Sequence, residues 1–234
     1  MRRPAKSPPS RRPAAPRPAA PRPAAAKPYH HGDLRRVLIE AAMQLAGEGG
    51  PDAVSVREAA RRAGVSPGAP FRHFPSRDAL MNAVAEEAQR RFRAEIEAAL
   101  ADAPPTDPLA RFRATGIAYL RWAMTNPTYF EIISSRRFFD HDRSATVASD
   151  NAELIASTER TLADAFAAGQ LRVRDLKQVQ IAGRALVYGF ARMFIDGHLP
   201  RWGVPDAEAE GMAARIVDLF IASIATRAAP AAKV

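Results

Sequence analysis

The chain has 234 residues, of which 47% are hydrophobic and 25% charged, with a formal net charge of +9 and no cysteine. This balance fits a soluble globular protein, and the missing cysteines exclude disulfides, thiolate nucleophiles and cysteine-ligated zinc or iron–sulfur centres. The positive charge is concentrated at one end. Residues 1–28 hold eight basic residues and no acid, so the other 26 basic residues face all 25 acids and leave the remainder at +1.

Met1–Pro28 contains nine prolines and a tandem Ala-Ala-Pro-Arg-Pro at residues 14–18 and 19–23, with no large apolar residue to bury. Such a segment favours polyproline II and is expected to be a disordered basic tail, either solubilising or attracted to nucleic acid. It lacks the apolar stretch of a secretory signal, and none is expected. From His31 the pattern becomes helical. Leu34, Val37, Leu38, Ala41, Ala42 and Leu45 share one face, Asp33 stands at a capping position, and Gly49-Gly50-Pro51 ends the run. Ser55-Val56-Arg57-Glu58 has capping-box spacing for a short second helix closed at Gly64. Ser66-Pro67 opens a third short helix to about Phe74, in which Pro70 should distort the first turn. Ser76 caps a long fourth helix carrying Leu80, Val84, Ala88, Phe92, Ile96 and Leu100. Further apolar stripes follow after Leu109, around Tyr129–Arg137, from Leu154 to Phe166, over Leu176–His198 and over Ala207–Arg227, the last two preceded by Asp175 and Asp206 as caps. No run alternates as a strand does. The expected fold is all-α with about nine helices. The longest apolar run, Ile181–Ile195, is interrupted by Arg184 and Arg192 and is too short and charged to span a bilayer.

Gly64-Val65-Ser66-Pro67-Gly68 matches the G-x-S-x-G nucleophile elbow of hydrolases. That device needs a preceding strand and a backbone N–H after the serine, whereas here a helix precedes it and Pro67 follows. The five histidines, including those of His30-His31 and Asp140-His141-Asp142, have no metal-ligand spacing, and no phosphate-binding glycine loop is present. Neither an enzyme nor a cofactor or metal site is expected. The informative unit is Ser55–Phe74, two short helices about a tight turn, the dimensions of a helix-turn-helix. Residues 55–77 carry Arg57, Arg61, Arg62, Arg72 and Arg77 against Glu58 alone, while Pro67, Gly68 and Ala69 leave the start of the second unit bare enough to approach a major-groove floor.

The residues Ser55-Val56-Arg57-Glu58, Ala60, Ala63-Gly64-Val65-Ser66, Phe71, His73-Phe74-Pro75-Ser76-Arg77 and Leu80 sit in Tyr29–Phe92, which resembles the DNA-binding domain of TetR-family transcriptional regulators. The resemblance implies a homodimer, a DNA-binding head over 29–92 and a helical effector-binding and dimerisation body over 93–228, between the tail at 1–28 and a disordered C-terminus at 229–234. It also implies a DNA-binding set of Ser55, Arg57, Ser66, Pro67, Gly68, Ala69, Phe71, Arg72, His73 and Arg77. In this set Arg57 reaches a base edge or phosphate, Pro67, Gly68 and Ala69 face bases, and Arg72, His73 and Arg77 hold phosphates. Phe71 stands where tyrosine is commoner, so a phenolic phosphate contact is lost.

In the body, Phe112, Tyr119, Trp122, Phe130, Phe166 and Tyr188 are the candidates for an apolar effector pocket, with Arg121, Arg184 and Arg192 on its rim favouring a hydrophobic, weakly acidic ligand. Val179, Leu186 and Phe190 with Met212, Ile216, Leu219 and Ile224 form the expected dimer face, a four-helix arrangement. The function implied is a cytoplasmic, nucleoid-associated repressor bound to a near-palindromic double-stranded operator and released by a small effector. The alternative from another class is an architectural DNA-binding protein without an effector.

Overall fold

The computed structural model describes residues 31–135, 137–138 and 144–226. The expected basic tail, the C-terminal tail and the Asp140-His141-Asp142 loop lie outside the described residues. Among the described residues there are eight α-helices and no strand, only an isolated antiparallel bridge between Leu171 and Ala225. The helices are α1 (His31–Gly49), α2 (Val56–Arg62), α3 (Arg77–Asp102), α4 (Pro108–Thr125), α5 (Pro127–Ser134), α6 (Ala145–Ala167), α7 (Leu176–Ile195) and α8 (Ala209–Ile224). The all-α expectation holds.

One helix fewer than expected forms, and the reason is Pro70. The segment expected as a third helix is instead a turn over Ser66–Ala69 followed by a single 3-10 turn, Pro70–Arg72. Pro70 has no N–H to give Ser66, so the ladder stops at the Ala69 N–H, which donates to the Ser66 carbonyl at 3.1 Å. Two other starts also differ from expectation. Helix α1 begins at His31, two residues ahead of Asp33, and Asp206 opens a 3-10 turn (Asp206–Glu208) rather than capping α8.

The chain packs around three cores. The first joins α1, α2 and the first half of α3 through Leu38, Met43, Val54, Phe74, Leu80 and Val84, and it takes in Ile132 of α5 and Val147 of α6. The second joins the far half of α3, through Phe92 and Ile96, to α4, α5, α7 and α8. The third closes the opposite end with Leu162, Ala165, Leu171, Val179 and Ile224. Helix α3 therefore belongs to two cores. Polar ties reinforce the first two: the Tyr129 hydroxyl donates to the Met43 carbonyl at 3.1 Å, and Arg93 on α3 reaches Asp150 and Glu153 on α6 at 2.9 and 2.7 Å.

Candidate functional site

The candidate nucleic-acid face is built from α2, the turn after it and the 3-10 turn Pro70–Arg72. Ser55 caps α2, its Oγ accepting the Glu58 N–H at 3.1 Å. Glu58 does not complete the reciprocal box. Its carboxylate is held instead by Arg61, at 2.9 and 3.1 Å from Nε, and that hydrogen bond keeps it below the usual carboxylate range. At the other end Gly64 adopts a left-handed φ of +67°, and the Val65 N–H turns back to the Ala60 carbonyl at 3.1 Å, so the chain reverses in three residues.

This reversal presents Ser66, Pro67 and Gly68, all exposed, beside exposed Arg57, Phe71 and Arg72, with Ala69 and His73 half-buried. A Cβ placed on Gly68 would meet no atom within 4 Å. Nothing inside the protein requires glycine there. Phe71 is 44% exposed, whereas the neighbouring Pro70 is buried and Phe74 belongs to the first core.

The five arginines of this region divide into two groups. Arg61 is engaged by Glu58, and Arg62 is held by Glu48 through two contacts of 2.6 Å. Arg77 turns inward: its Nε donates to the Val54 carbonyl at 2.9 Å and its Nη2 to the Pro51 carbonyl at 2.8 Å, with Asp52 at 3.7 Å. Of the residues expected to hold phosphates, Arg77 is thus occupied as a clamp between the 3-10 turn Pro51–Ala53 and the start of α3. Arg57 and Arg72 have no ion-pair partner among the described residues.

Within the body lies a cavity of about 610 Å³. Helix α3 contributes Gln89, Phe92 and Ile96, α4 contributes Phe112, Thr115 and Tyr119, α5 contributes Phe130 and Ile133, and α6 contributes Asn151, Leu154 and Ile155. The remaining walls are Lys177, Gln180, Ile181, Arg184 and Tyr188 of α7 and Val217, Phe220 and Ile221 of α8. Four of the six expected pocket residues, Phe112, Tyr119, Phe130 and Tyr188, are brought together here. Trp122 is not among them, because it is buried against the far side of Phe92 with ring centroids 5.0 Å apart. Phe166 is not either: it lies on the outer face of α6, 44% exposed. Of the expected rim arginines only Arg184 lines the cavity, its guanidinium 4.7 Å from the Tyr119 ring centroid and 5.6 Å from that of Tyr188. Tyr119 is 6% exposed, and its hydroxyl has no hydrogen-bond partner among the described residues. Burial pushes its pKa up to about 12, against a downward pull from Arg184.

The expected dimer face needs correction at three positions. Val179 and Ile224 are buried in the third core and Phe190 in the second, each turned into its own chain because it lies on the inner side of its helix. Leu186, Met212 and Ile216 are half-buried, and Leu219 is 71% exposed. Ile181, not anticipated for this face, is 61% exposed where α7 borders the cavity, which Leu186 also lines. The helical period allowed both sides of α7 to look apolar, and the sequence carried no signal to separate them.

Comparison with known proteins places these features in a family. Residues 38–84 match the family model for bacterial regulatory proteins of the tetR family, and residues 112–220 match that for the tetracyclin repressor-like C-terminal domain. The chain is 32% identical over 117 residues to the HTH-type transcriptional repressor KstR of Rhodococcus jostii, a match spanning 50% of this chain and 52% of that protein, about half its length. A solved structure of a protein of unknown function from Rhodococcus sp. RHA1 is 30% identical, with a TM-score of 0.74 over 86% of this chain and all of that one. The ketosteroid transcriptional regulator KstR2 of Mycobacterium tuberculosis shares the fold at 17% identity, with a TM-score of 0.60 over 83% of this chain and 96% of that one. With both halves matched and the helix-turn-helix unit in place, the chain belongs to the tetR family of bacterial regulatory proteins.

Proposed function

We propose that the chain is a homodimeric, sequence-specific DNA-binding repressor of the nucleoid, whose hold on a near-palindromic operator is loosened when a small apolar molecule fills the body cavity. The observation that carries this reading is α3. The helix is capped by Ser76, a few residues after the turn that presents Gly68, and the same unbroken helix supplies Gln89, Phe92 and Ile96 to the cavity wall. A ligand acts through its differential affinity for two head arrangements, and α3 joins what it touches to what must move. The likeness to a transcriptional repressor supports repression over activation.

In this reading the head (29–92) docks with Gly68 and Ala69 against the groove floor. Arg57 and Arg72 meet phosphates or a base edge, and the basic tail (1–28) adds sequence-independent attraction. The body (93–228) carries the cavity and a dimer face on the exposed sides of α7 and α8, centred on Ile181 and Leu219. A cavity of this size speaks for ligand response over a purely architectural role. The test is selection of bound fragments from genomic DNA, footprinting of the enriched site, and titration of the complex with apolar compounds that raise the melting temperature. A protected two-fold symmetric site released by such compounds is the expected result. Protection without sequence preference returns the architectural reading.

A further inference from the structure

The cavity is apolar except for a set of polar groups, and most of these are already satisfied. Gln89 donates to Asn151 at 3.1 Å, Thr115 donates to the Arg111 carbonyl at 3.1 Å, and Thr158 donates to the Leu154 carbonyl at 2.9 Å. Gln180 donates to the Ile155 carbonyl at 2.9 Å, and the Lys177 ammonium is paired with Glu159. The Ser134 and Tyr188 hydroxyls and the Asn151 amide also line it, but the fully buried polar atom left without a partner lies where α4 faces α7. There the Tyr119 hydroxyl is buried with no hydrogen-bond acceptor among the described residues, an arrangement that is costly unless something else supplies one. Directly over its ring lies Arg184, which has no acidic partner among the described residues and rests on the faces of Tyr119 and Tyr188. Among the described residues no aspartate or glutamate lines the cavity. The wall therefore carries one uncompensated positive charge, on a long side chain able to swing off the tyrosine ring beneath it, and around it the lining is aliphatic and aromatic.

Resting on the reading of this cavity as the effector site, we infer that its ligand is an amphipathic monoanion, a single carboxylate on an extended apolar body. The carboxylate pairs with the Arg184 guanidinium and accepts the Tyr119 hydroxyl, while the body lies against Phe92, Ile96, Phe112 and Phe130. A guanidinium presents a planar fork of donors that matches a carboxylate, and Tyr119 supplies a further donor, so the head group is satisfied on leaving water. A cationic amphiphile meets Arg184 and is rejected. A neutral one of the same length gains only the burial of its chain.

The test follows uptake of N-phenyl-1-naphthylamine, a neutral fluorescent probe, by the full chain, and its displacement by decanoate, decanol and decyltrimethylammonium at pH 8. Decanoate is expected to bind roughly tenfold more tightly than decanol, one charge-assisted contact's worth of selectivity, and decyltrimethylammonium more weakly than either. Arg184→Met, with Arg184→Gln as a second variant, should erase the difference between decanoate and decanol, read as the ratio of the two displacement midpoints within each variant. Tyr119→Phe should narrow it. Equal displacement by acid and alcohol, or a preference for acid that survives both Arg184 substitutions, overturns the head-group assignment and leaves the cavity reading standing. Failure of the neutral probe to enter the unaltered chain overturns the cavity reading itself.

Discussion

Arg77 and Arg72 are five residues apart, carry the same charge, and do opposite things. Arg77 spends its donors on the Pro51 and Val54 carbonyls, so Arg77→Ala should lower the stability of the head by about 1–2 kcal/mol, the worth of a charge-assisted bond on a partly exposed side chain. Arg72→Ala and Arg57→Ala should leave the thermal midpoint in place and each reduce the salt slope of DNA binding by about 1. Melts beside anisotropy titrations over a salt series separate the two cases, and a stable Arg77→Ala with a reduced slope would return it to the phosphate set. Gly68 allows a cleaner cut. Because a Cβ there meets only open space, Gly68→Leu should fold and melt like the parent yet lose its footprint. A normal footprint would show that this turn does not face the bases. The motif spacing made the head residues legible as a set, since family resemblance fixes positions along a chain. It could not say which arginines are already occupied, because Glu48 and the Pro51 and Val54 carbonyls come to Arg62 and Arg77 only through folding.

At the scale of elements, helices and their caps were the most legible layer, and they were read from single residues. Ser55, Ser76 and Asp175 cap as expected, and the stripe of α1 is buried except at Val37, which is half-buried. The reading failed where two local signals competed at Ser66–Arg72. An N-cap serine with a following proline argued for a helix, Pro70 argued against one, and the missing amide won. The start of α4 was marked only by its apolar run, and its capping cluster depends on a contact from across the chain. Asp107 Oδ1 accepts the Ala110 N–H at 3.0 Å and Gln170 Nε2 at 2.9 Å, while Gln170 Oε1 accepts the Leu109 N–H at 3.0 Å. The Ala110 N–H and then Gln170 hold the Asp107 carboxyl below its ordinary range. A depressed folded-state pKa means that the stabilisation is complete above the unfolded value and is lost as pH falls through the folded one. Asp107→Ala should cost about 1 kcal/mol at neutral pH, and the gap from the parent should shrink as the pH falls toward 3. Denaturant melts across that range check it, and a gap independent of pH would remove the titration from the account.

At the scale of the whole molecule, the proposed pairing of two chains would decide whether two heads can read one operator. Leu219 and Ile181 are large, apolar and exposed on α8 and α7. Leu219→Glu together with Ile181→Glu should halve the mass seen by light scattering and remove operator binding, with the single-chain melt retained; a dimer that survives both places the interface elsewhere. The division between head and body was legible in the sequence, but the shared helix between them was not, since no local signal tells that Leu80 and Phe92 on one stripe enter different cores. That helix also sets a length. From Ser76 to Phe92 the axis runs roughly 24 Å at 1.5 Å per residue. A pivot of about 5° at the cavity end therefore sweeps the cap through about 2 Å, and in the proposed dimer two arms related by a two-fold axis would change the gap between heads by about 4 Å. Half-sites recur every 34–36 Å, and side chains must meet base edges within a few tenths of an ångström, so that sweep is enough to take one head out of step with the groove. The cavity walls need shift only by a fraction of an atom's width for the far end to lose its place.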